Sequence, residues 1–543
     1  MPLSLAAAQK DLLSIFKIEA QYVIPTYQRP YSWEYDECLQ LYGDITEAFQ
    51  NNEDYFIGNI VIAKSDTNKD RLEVIDGQQR LTTLLLFIKI LSLFVPDHKA
   101  LLGCLEKEDW EGGKTEPRIK SEIFEASDGD QFTQVLSLRK ENFDESMISF
   151  KDQKGNFNTK KFPNRFERNA LFFYSWVEFY SRENDLKEFI KFLLQRVYLL
   201  PIELTGKTFD EAGEKALTIF ETLNNRGKSL DDADIFKAKL YNKAKKINEE
   251  RIFIESWAEL KNRCDVLNIK IDDVFRYYSH IIRGREGKTS LEINIRNFFI
   301  KMEYSPFILK NYNEILDDLF AIVDVIEYIN EEKSKSTELA KWLQLIEIYT
   351  NQYPKIAIVV YLFVHKDGLD IDLISYLKKL VRFSYYAGST STIKFAIFNI
   401  IRDVSMGKVI AEFIREDIAD DYFDYLGLLK YGYALLAFYL SQNIALKSFV
   451  IDKLINYKDE RYLKKGWNKA KIEAVANGLG NFVILDIPKI NTTINNKASH
   501  YNTSNIEEIK ELSKKLDDFT YDDFIARDKQ LKEILMAFFK GKL

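Results

Sequence analysis

The sequence predicts an α+β domain followed by a mainly α-helical region, in a chain that is rich in helix overall. Short runs of apolar and β-branched residues have the length and composition of buried strands, at residues 55–63, 72–76 and 197–204. Segments with helical spacing of apolar residues alternate with these runs, at residues 34–49, 81–95, 170–182 and 186–196. Beyond about residue 240 almost all of the apolar periodicity is helical.

The chain begins with an amphipathic stretch, residues 1–20, which we expect to form a helix. From residue 105 to about 169 the apolar periodicity weakens and charged residues become frequent, which predicts an inserted loop or a small helical excursion. We expect an N-terminal domain over residues 1–240, a helical connector or scaffold over residues 241–440, and a small C-terminal domain over residues 441–543.

Composition favours a globular protein of the cytoplasm. The chain has 543 residues, too many for one hydrophobic core, and 46% of them are hydrophobic, which excludes a disordered protein. Its first residues lack the basic start and long apolar run of a signal peptide, and residues 81–95 are too few to span a bilayer. The cysteines Cys38, Cys104 and Cys264 lack CxxC spacing, which favours a reducing compartment over a zinc site or a disulfide framework. We therefore expect no membrane partner.

The most informative stretch is a strand-loop-helix junction. The run Leu-Glu-Val-Ile-Asp76-Gly77-Gln78-Gln79-Arg80 leads directly into an apolar helix. The free N–H groups and positive dipole end of such a helix favour an anion, and Gly77 allows close backbone approach. Arg80 can bind a phosphate, Gln78 and Gln79 can orient a water or a ribose, and Asp76 can hold Mg²⁺ through water. The junction therefore has the chemistry of nucleotide binding.

A second polar cluster lies upstream, in the aromatic segment Ile-Pro-Thr-Tyr27-Gln28-Arg29-Pro-Tyr-Ser-Trp. As an alternative, Asp76-Gly77 is an ordinary turn, and the polar residues after it are the solvated first turn of a helix. Two Gln-Arg pairs, one of them among aromatic residues, are hard to explain as core. We therefore expect Tyr27, Gln28 and Arg29 to line the same pocket as the junction.

A third polar segment, Asn-Asn225-Arg226-Gly227-Lys-Ser, precedes a predicted helix that contains Asp234. Its Gly-Lys-Ser sequence is not a Walker A loop, because Thr222 occupies the position of the required first glycine. Gly227 is better suited to end one helix before the next begins.

Four motifs follow one another along the first 240 residues: Ile24-Pro-x-Tyr-Gln-Arg-x-Tyr-x-Trp33, Phe56-x-Gly-x-Ile60, Val74-Ile-Asp-Gly-Gln-Gln-Arg-Leu-Thr-Thr83 and Phe220-Glu-x-Leu-Asn-Asn-Arg-Gly-x-x-Leu-x-x-x-Asp234. Together they resemble the N-terminal domain of the GmrSD family of type IV restriction proteins. The resemblance implies a ParB/sulfiredoxin-like fold that binds and hydrolyses a nucleoside triphosphate with Mg²⁺, in anti-phage defence.

The same resemblance implies the residues of the site. The catalytic residues would be Asp76, Gln78, Gln79 and Arg80, with Asp76 also holding the metal ion through water. Further contacts to the nucleotide would come from residues of three segments: Tyr27, Gln28, Arg29, Gly77, Thr82, Asn225, Arg226 and Asp234.

Residues 441–543 resemble the back half of the HNH nuclease domain that follows in GmrSD proteins, where a ββα unit presents a histidine and metal ligands. The family's first strand carries a Glu-His-Ile-x-Pro motif, and Lys453 stands here in place of the histidine. A charged lysine neither binds a metal ion nor acts as an ordinary base near neutral pH. The resemblance therefore implies a degenerate HNH-like domain that does not cut DNA. A plain helical tail with a chance Gly-Asn at Asn481 is the alternative.

A basic run occupies residues 447–471, although the net charge of the whole chain is −7. A solvated helical face is the ordinary explanation for such a run. Beside the HNH-like segment it also fits a DNA-facing surface, with Lys464, Lys465 and Lys469 as candidate contacts.

Three functions stay open. In the first, an NTP-hydrolysing defence protein uses its degenerate HNH-like domain to bind DNA or a partner. In the second, a non-enzymatic subunit senses nucleotide or DNA and recruits a separate nuclease. In the third, the chain is an active nuclease that uses Asp452, His500 and Asn481. The partners implied are DNA, including modified phage DNA, and a separate nuclease or further copies of the chain.

Overall fold

The computed structural model describes most of the chain, namely residues 5–108, 115–123, 128–152, 155–209, 211–213, 215–216, 232–290, 292–349, 351–365, 372–387, 390–408, 422–425, 428–442, 449–455, 467–488 and 494–543. The chain divides into two compact units, Met1–Glu259 and Leu260–Leu543. The division into three domains predicted from the sequence stays a prediction.

A mixed β-sheet forms the centre of the first unit. Its strands are β1 (Leu5–Ala7), β2 (Lys10–Asp11), β3 (Gln21–Ile24), β4 (Tyr55–Ser65), β5 (Arg71–Asp76), β8 (Ile119–Ser121) and β9 (Val197–Gly206). They lie in the order β1-β9-β4-β5-β3-β8, with β2 also paired to β9. The pairs β3–β5, β3–β8 and β4–β9 are parallel, and β4–β5 is antiparallel. A separate antiparallel pair is formed by β6 (Glu106–Glu108) and β7 (Thr115–Pro117).

Helices surround this sheet: α1 (Leu12–Phe16), α2 (Tyr35–Gln50), α3 (Gln78–Phe94), α4 (Lys99–Leu105), α5 (Asp128–Ser137), α6 (Lys140–Phe150), α7 (Arg165–Ser181), α8 (Leu186–Arg196) and α9 (Asp232–Lys245). The next helix, α10 (Glu250–Val266), runs across the boundary between the units. The apolar helix predicted at residues 81–95 is thus confirmed as α3, which is buried around most of its circumference.

The two faces of the sheet carry different hydrophobic clusters. Because side chains alternate along a strand, Leu72 and Val74 of β5 join the large cluster that contains α3, whereas Ile75 joins a smaller cluster with Val61 and Leu204. This alternation determines which side of β5 each polar residue can reach.

One sequence expectation differs from the structure. The prediction of a helix over residues 1–20 was wrong. In the described part of this segment the strands β1 and β2 pair with β9, and the short helix α1 follows them. Asp11 begins this helix by accepting a hydrogen bond of 2.7 Å from the N–H of Ser14. Pairing with a strand almost 200 residues away is invisible to local periodicity.

Residues 105–169, expected to be an inserted loop or a small helical excursion, contain the helices α5 and α6 and also contribute to the core of the unit. The strand β8 closes one edge of the sheet by pairing with β3, and the rings of Phe132, Phe143 and Phe150 are buried in the large cluster. The many charged residues weaken the apolar periodicity of this segment, so its widely spaced buried phenylalanines could not be recognised from the sequence.

The second unit is mainly helical. Its helices are α11 (Ile271–Arg285), α12 (Ile295–Lys301), α13 (Pro306–Leu309), α14 (Tyr312–Lys333), α15 (Glu338–Ile348), α16 (Tyr353–Val364), α17 (Asp372–Ala387), α18 (Thr390–Ser405), α19 (Tyr422–Tyr425), α20 (Leu428–Gln442), α21 (Lys469–Asn477), α22 (Ile494–Tyr501), α23 (Glu507–Lys515) and α24 (Tyr521–Phe539). Two short strands, β10 (Val450–Lys453) and β11 (Phe482–Leu485), pair antiparallel, with Lys453 opposite Phe482.

The predicted fold class is confirmed in its outline, because the chain is helix-rich and its N-terminal unit contains a mixed sheet with helices. Among the described residues, no helix is long and apolar enough to cross a membrane.

Candidate functional site

The junction between β5 and α3 is built around a glycine. Asp76 ends β5, Gly77 has a left-handed φ of 87°, and α3 begins at Gln78. A Cβ on Gly77 would lie 2.5 Å from Cγ2 of Ile60 and 3.3 Å from the carbonyl oxygen of Asn59. Both the backbone angle and the space therefore require glycine, and the chain turns sharply into the N-terminus of the helix.

A carboxylate and a guanidinium group meet at this junction, and a second guanidinium acts on the carboxylate electrostatically. Nη2 of Arg80 lies 3.6 Å from Oδ2 of Asp76, and both side chains are about one quarter exposed. Burial raises the pKa of the Asp76 carboxyl, while Arg80, the N–H of Gly77 and the exposed Arg29 act against that rise. The charge of Arg29 therefore reaches Asp76, although the two residues lie far apart in the sequence.

Gly58 was not singled out as a site residue from the sequence. It has a φ of 138° at an irregularity of β4, and a Cβ there would overlap Nη1 of Arg80. The glycine thus leaves space for the guanidinium beside the backbone of β4. An isolated glycine inside a strand pattern indicates such a close approach and was the available signal.

The glutamines connect the junction to the aromatic segment. Nε2 of Gln78 donates to the carbonyl of Arg29 at 3.1 Å, and Nε2 of Gln79 donates to that of Pro30 at 3.2 Å. Oε1 of Gln79 accepts a hydrogen bond of 2.8 Å from the N–H of Ser32. These contacts hold the two polar clusters together.

The side-chain oxygen of Gln78, Oε1, differs from that of Gln79. Gln78 is only 6% exposed, and its Oε1 is buried without a hydrogen-bond partner in the part of the chain that the structure describes. Gln78 lines a small cavity together with Gln79 and the buried Thr82. An unpaired buried acceptor is costly, so this oxygen is suited to receive a hydrogen bond from a ligand or a water.

A network of buried hydrogen bonds joins the aromatic segment and α3 to α7. The hydroxyl groups of Tyr31 and Thr83 lie 2.6 Å apart, and Nδ2 of Asn169 donates to the Tyr31 hydroxyl at 3.0 Å. Sequence reasoning missed Asn169, because it lies among apolar residues of α7, nearly 140 residues downstream of Tyr31.

Gln28 and Tyr27 point to different surroundings. Nε2 of Gln28 donates to the carbonyl of Ile75 at 3.0 Å, next to the junction. Tyr27 packs against the cluster of Ile75 on the opposite sheet face from α3, and its ring centroid lies 5.5 Å from that of Tyr241. The structure therefore brings Gln28 and Arg29 to the junction and places Tyr27 beside α9.

The third polar segment is only partly described. Asp234 lies in the first turn of α9 and is half-buried. Asn225 and Arg226 lie outside the described residues.

No group of three or more His, Cys, Asp or Glu side chains that could hold a metal ion occurs among the described residues. Asp76 supplies one carboxylate at the junction. A magnesium ion there would take most of its ligands from phosphate oxygens and water, as magnesium commonly does.

The C-terminal strands carry polar residues that bind other parts of the protein. The buried Asp452 accepts from Nζ of Lys497 at 2.8 Å and from the hydroxyl of Tyr501 at 2.6 Å. Nζ of Lys453 donates to the carbonyl of Ala476 at 3.4 Å and lies 5.0 Å from the ring centroid of Phe482.

Asn481 has a structural role in this unit. Its side chain accepts from the N–H of Ile455 and donates to the carbonyl of Ile455, both at 2.9 Å, and donates to that of Ala476 at 3.2 Å. Nε2 of His500 lies 2.6 Å from the carbonyl of Pro488. Of the predicted DNA contacts, Lys469 is exposed at the start of α21, and Lys464 and Lys465 lie outside the described residues.

Comparison with known proteins gives two findings. Residues 10–241 match the sequence model of a family described as GmrSD restriction endonuclease, N-terminal domain. An uncharacterized protein of Methanocaldococcus jannaschii is 23% identical over 416 residues, which are 70% of this chain and 65% of the relative. The family match includes the whole β5–α3 junction, and the chain spans slightly less than two thirds of that relative's length.

Proposed function

Because residues 10–241 belong to the GmrSD N-terminal domain family, we propose that this unit binds and hydrolyses a nucleoside triphosphate as part of a restriction system directed at phage or modified DNA. One observation carries the proposal: Arg80 lies beside Asp76 at the N-terminus of the long helix α3, where Gln78 holds the backbone of Arg29. The restriction family supports DNA as the target, and the nucleotide reaction is the finer part of the proposal.

The junction suits a polyphosphate for electrostatic reasons. A helix N-terminus offers N–H donors and a positive partial charge, and a guanidinium can bind two phosphate oxygens at once. Gly77 and Gly58 keep side chains away from the places where the backbone and Arg80 must come close. The carboxylate of Asp76 partly neutralises the charge of Arg80.

The fit of magnesium follows from the donor set. Asp76 would hold the ion through water, with phosphate oxygens supplying other ligands, and the ion would neutralise charge on the phosphates.

The two glutamines have different parts in this proposal. Gln79 uses both ends of its amide to hold the backbone of the aromatic segment, so it positions the site. Gln78 keeps a buried acceptor, Oε1, and is the residue that can orient a water or a ribose hydroxyl.

The test is phosphate release from each of the four ribonucleoside triphosphates, with and without DNA, beside calorimetric binding. Arg80→Ala should weaken binding by about 2–3 kcal/mol, the usual worth of hydrogen bonds to a charged group. Arg182→Ala is the matched control, because the side chain of Arg182 is 65% exposed and, in the part of the chain that the structure describes, pairs only with Glu178. If neither wild type nor Arg80→Ala binds any of the four nucleotides, the proposal fails.

For the second unit we propose DNA binding without cleavage. Asp452 and Asn481 are engaged in buried hydrogen bonds, which supports a scaffold role for them over the unconventional nuclease. The alternative is a non-enzymatic subunit that recruits a separate nuclease.

Incubation of the protein with modified and unmodified DNA, magnesium or manganese, and each nucleotide distinguishes these outcomes. Binding without cleavage, weakened when Lys464, Lys465 and Lys469 are changed to Gln, supports the proposal. DNA cleavage that Asn481→Asp abolishes without loss of folding would contradict it.

A further inference from the structure

A second cleft lies on the sheet face opposite α3. Its walls come from the segment after β3, from β5, and from α9, and it encloses about 580 Å³ including the open space at its mouth. Tyr27, Glu73 and Tyr241 line it. Glu73 belongs to this face because it alternates with Leu72 and Val74, which pack toward α3. The cleft is therefore separate from the arginines of the junction.

Aromatic rings form one side of this cleft. The rings of Tyr27 and Tyr241 lie 5.5 Å apart between centroids and are tilted by 46°. The ring of Phe209, also in the lining, is covered by the guanidinium of Arg71 at 5.5 Å. The ring of Tyr241 also packs on that of Phe253, at 6.3 Å between centroids. The tyrosines thus belong to an aromatic wall on which a flat ligand can pack.

The polar side of the cleft is balanced in charge. Arg71 donates to Oε1 of Glu73 at 2.8 Å and makes two hydrogen bonds to Glu122, at 3.0 and 2.9 Å. Burial raises the pKa of Glu73, and Arg71 and Lys245 act against that rise. Two acidic and two basic side chains line the cleft, so it has no strong preference for an ion of either sign.

Among the described residues, the hydrogen bonds that the Glu73 carboxylate accepts come from Arg71 and reach Oε1, so Oε2 can accept from a ligand. Asn242, one residue beyond Tyr241, adds an amide to the lining. An amide and a carboxylate beside aromatic rings are the groups with which proteins bind the edge and the face of a base.

We propose that this cleft binds a nucleobase that carries an exocyclic amino group, with the base stacked on Tyr241 and Tyr27 and its amino group donating to Glu73. Adenine, cytosine and guanine have such a group, and uracil has none. Glu73 in the cleft and Asp76 at the junction are three residues, about 10 Å, apart along the strand, which is short enough for one nucleotide to be considered beside a nucleic acid strand. The base therefore has two possible sources. It belongs to a free nucleotide or to a nucleic acid strand.

Nucleosides are the direct probe, because they carry no phosphate for the junction to bind. Calorimetry with adenosine, cytidine, guanosine and uridine should show saturable binding of at least one amino-bearing nucleoside, with Kd on the order of 1 mM or tighter. Tyr241→Ala should weaken this binding by about tenfold or more, the effect of losing one stacking ring. Tyr241→Phe should retain it. Glu73→Gln should remove the preference over uridine.

Controls separate this proposal from a general loss of folding. Phe179→Ala, at a ring that is 72% exposed on α7, should leave nucleoside binding and melting temperature unchanged. Arg80→Ala should also leave nucleoside binding unchanged. Nucleotide binding at the junction can therefore fail while this proposal stands, and the reverse also holds.

The source of the base is given by a second arm. Tighter binding of a short single-stranded DNA than of the matching nucleoside assigns the base to nucleic acid, and equal binding assigns it to a free nucleotide. The proposal is overturned if none of the four nucleosides gives saturable binding, if uridine binds as well as the others, or if folded Tyr241→Ala binds like wild type.

Discussion

Gly58 in β4 and Arg80 in α3 occupy adjoining space, so that a single methyl group on residue 58 would displace the guanidinium of residue 80. The two residues lie in different motifs of the sequence. Their proximity shows that Gly58 leaves the space that the guanidinium of Arg80 occupies beside Asp76.

Gly58→Ala should therefore affect nucleotide binding indirectly, through the position of Arg80. The added Cβ moves Arg80, and the φ of 138° is unfavourable for alanine, so unfolding free energy should fall by about 1–3 kcal/mol. Nucleotide binding should weaken by about tenfold or more. Urea denaturation and calorimetry measure the two effects.

Gly43→Ala is the matched control for this change. Residue 43 lies in α2, and a Cβ there meets nothing within 4 Å. Alanine in a helix interior should raise stability by about 0.5–1 kcal/mol without changing nucleotide affinity. Equal nucleotide affinity in both variants would show that Arg80 does not depend on Gly58.

Gln79→Glu should separate the two polar clusters. Glutamate loses the donor to the carbonyl of Pro30 and places a charge at a side chain that is 7% exposed. We expect a loss of about 1–3 kcal/mol in unfolding free energy, the cost of an unsatisfied buried group. Gln134→Glu, on the exposed surface of α5, should stay within about 0.5 kcal/mol of wild type.

Asn481→Ala should destabilise the second unit. It leaves the backbone N–H and carbonyl of Ile455 without their side-chain partner, which should cost about 1–3 kcal/mol in thermal or urea unfolding. Asn502→Ala, at an exposed position after α22, serves as the control and should change little. A fully stable Asn481→Ala protein would contradict the structural role.

The second unit should lose stability in mild acid because of His280. Burial, followed by Arg283, Arg276 and Lys394, lowers its pKa from 6.5 to about 3, and Glu292 acts the other way. Between pH 6.5 and about pH 3, His280 binds a proton in the unfolded chain but not in the folded chain. Stability from this group should therefore fall by about 1.4 kcal/mol for each pH unit below 6.5.

Urea unfolding of wild type and His280→Phe at pH 7 and pH 5 measures this dependence. The variant should lose about 2 kcal/mol less than wild type over that interval, because it has no proton to bind at this position. His365→Phe, at a half-buried position after α16, is the comparison for replacing a histidine elsewhere in the same unit. Identical pH dependence of wild type and His280→Phe would refute the assignment.

Local sequence was enough to predict the β5–α3 junction. A β-branched run, a glycine between polar residues and an apolar helix are all neighbours in the chain, so Asp76, Gly77 and Arg80 could be placed before the fold was known. The second Gln-Arg cluster was found by composition alone. The interpretation of Lys453 as a departure from the HNH motif stays a prediction.

The tertiary structure decided the relationships between distant segments. It placed Tyr27 beside Tyr241 and away from Arg80, because residues on the two faces of a sheet diverge even when they adjoin in sequence. It paired the first residues with β9 instead of leaving them as a helix, because the sheet edge offered hydrogen bonds that local propensity cannot register. It also made Gly58 a partner of Arg80. Sequence patterns thus determined the local elements and their chemistry, whereas strand pairing and packing determined which of those chemical groups meet.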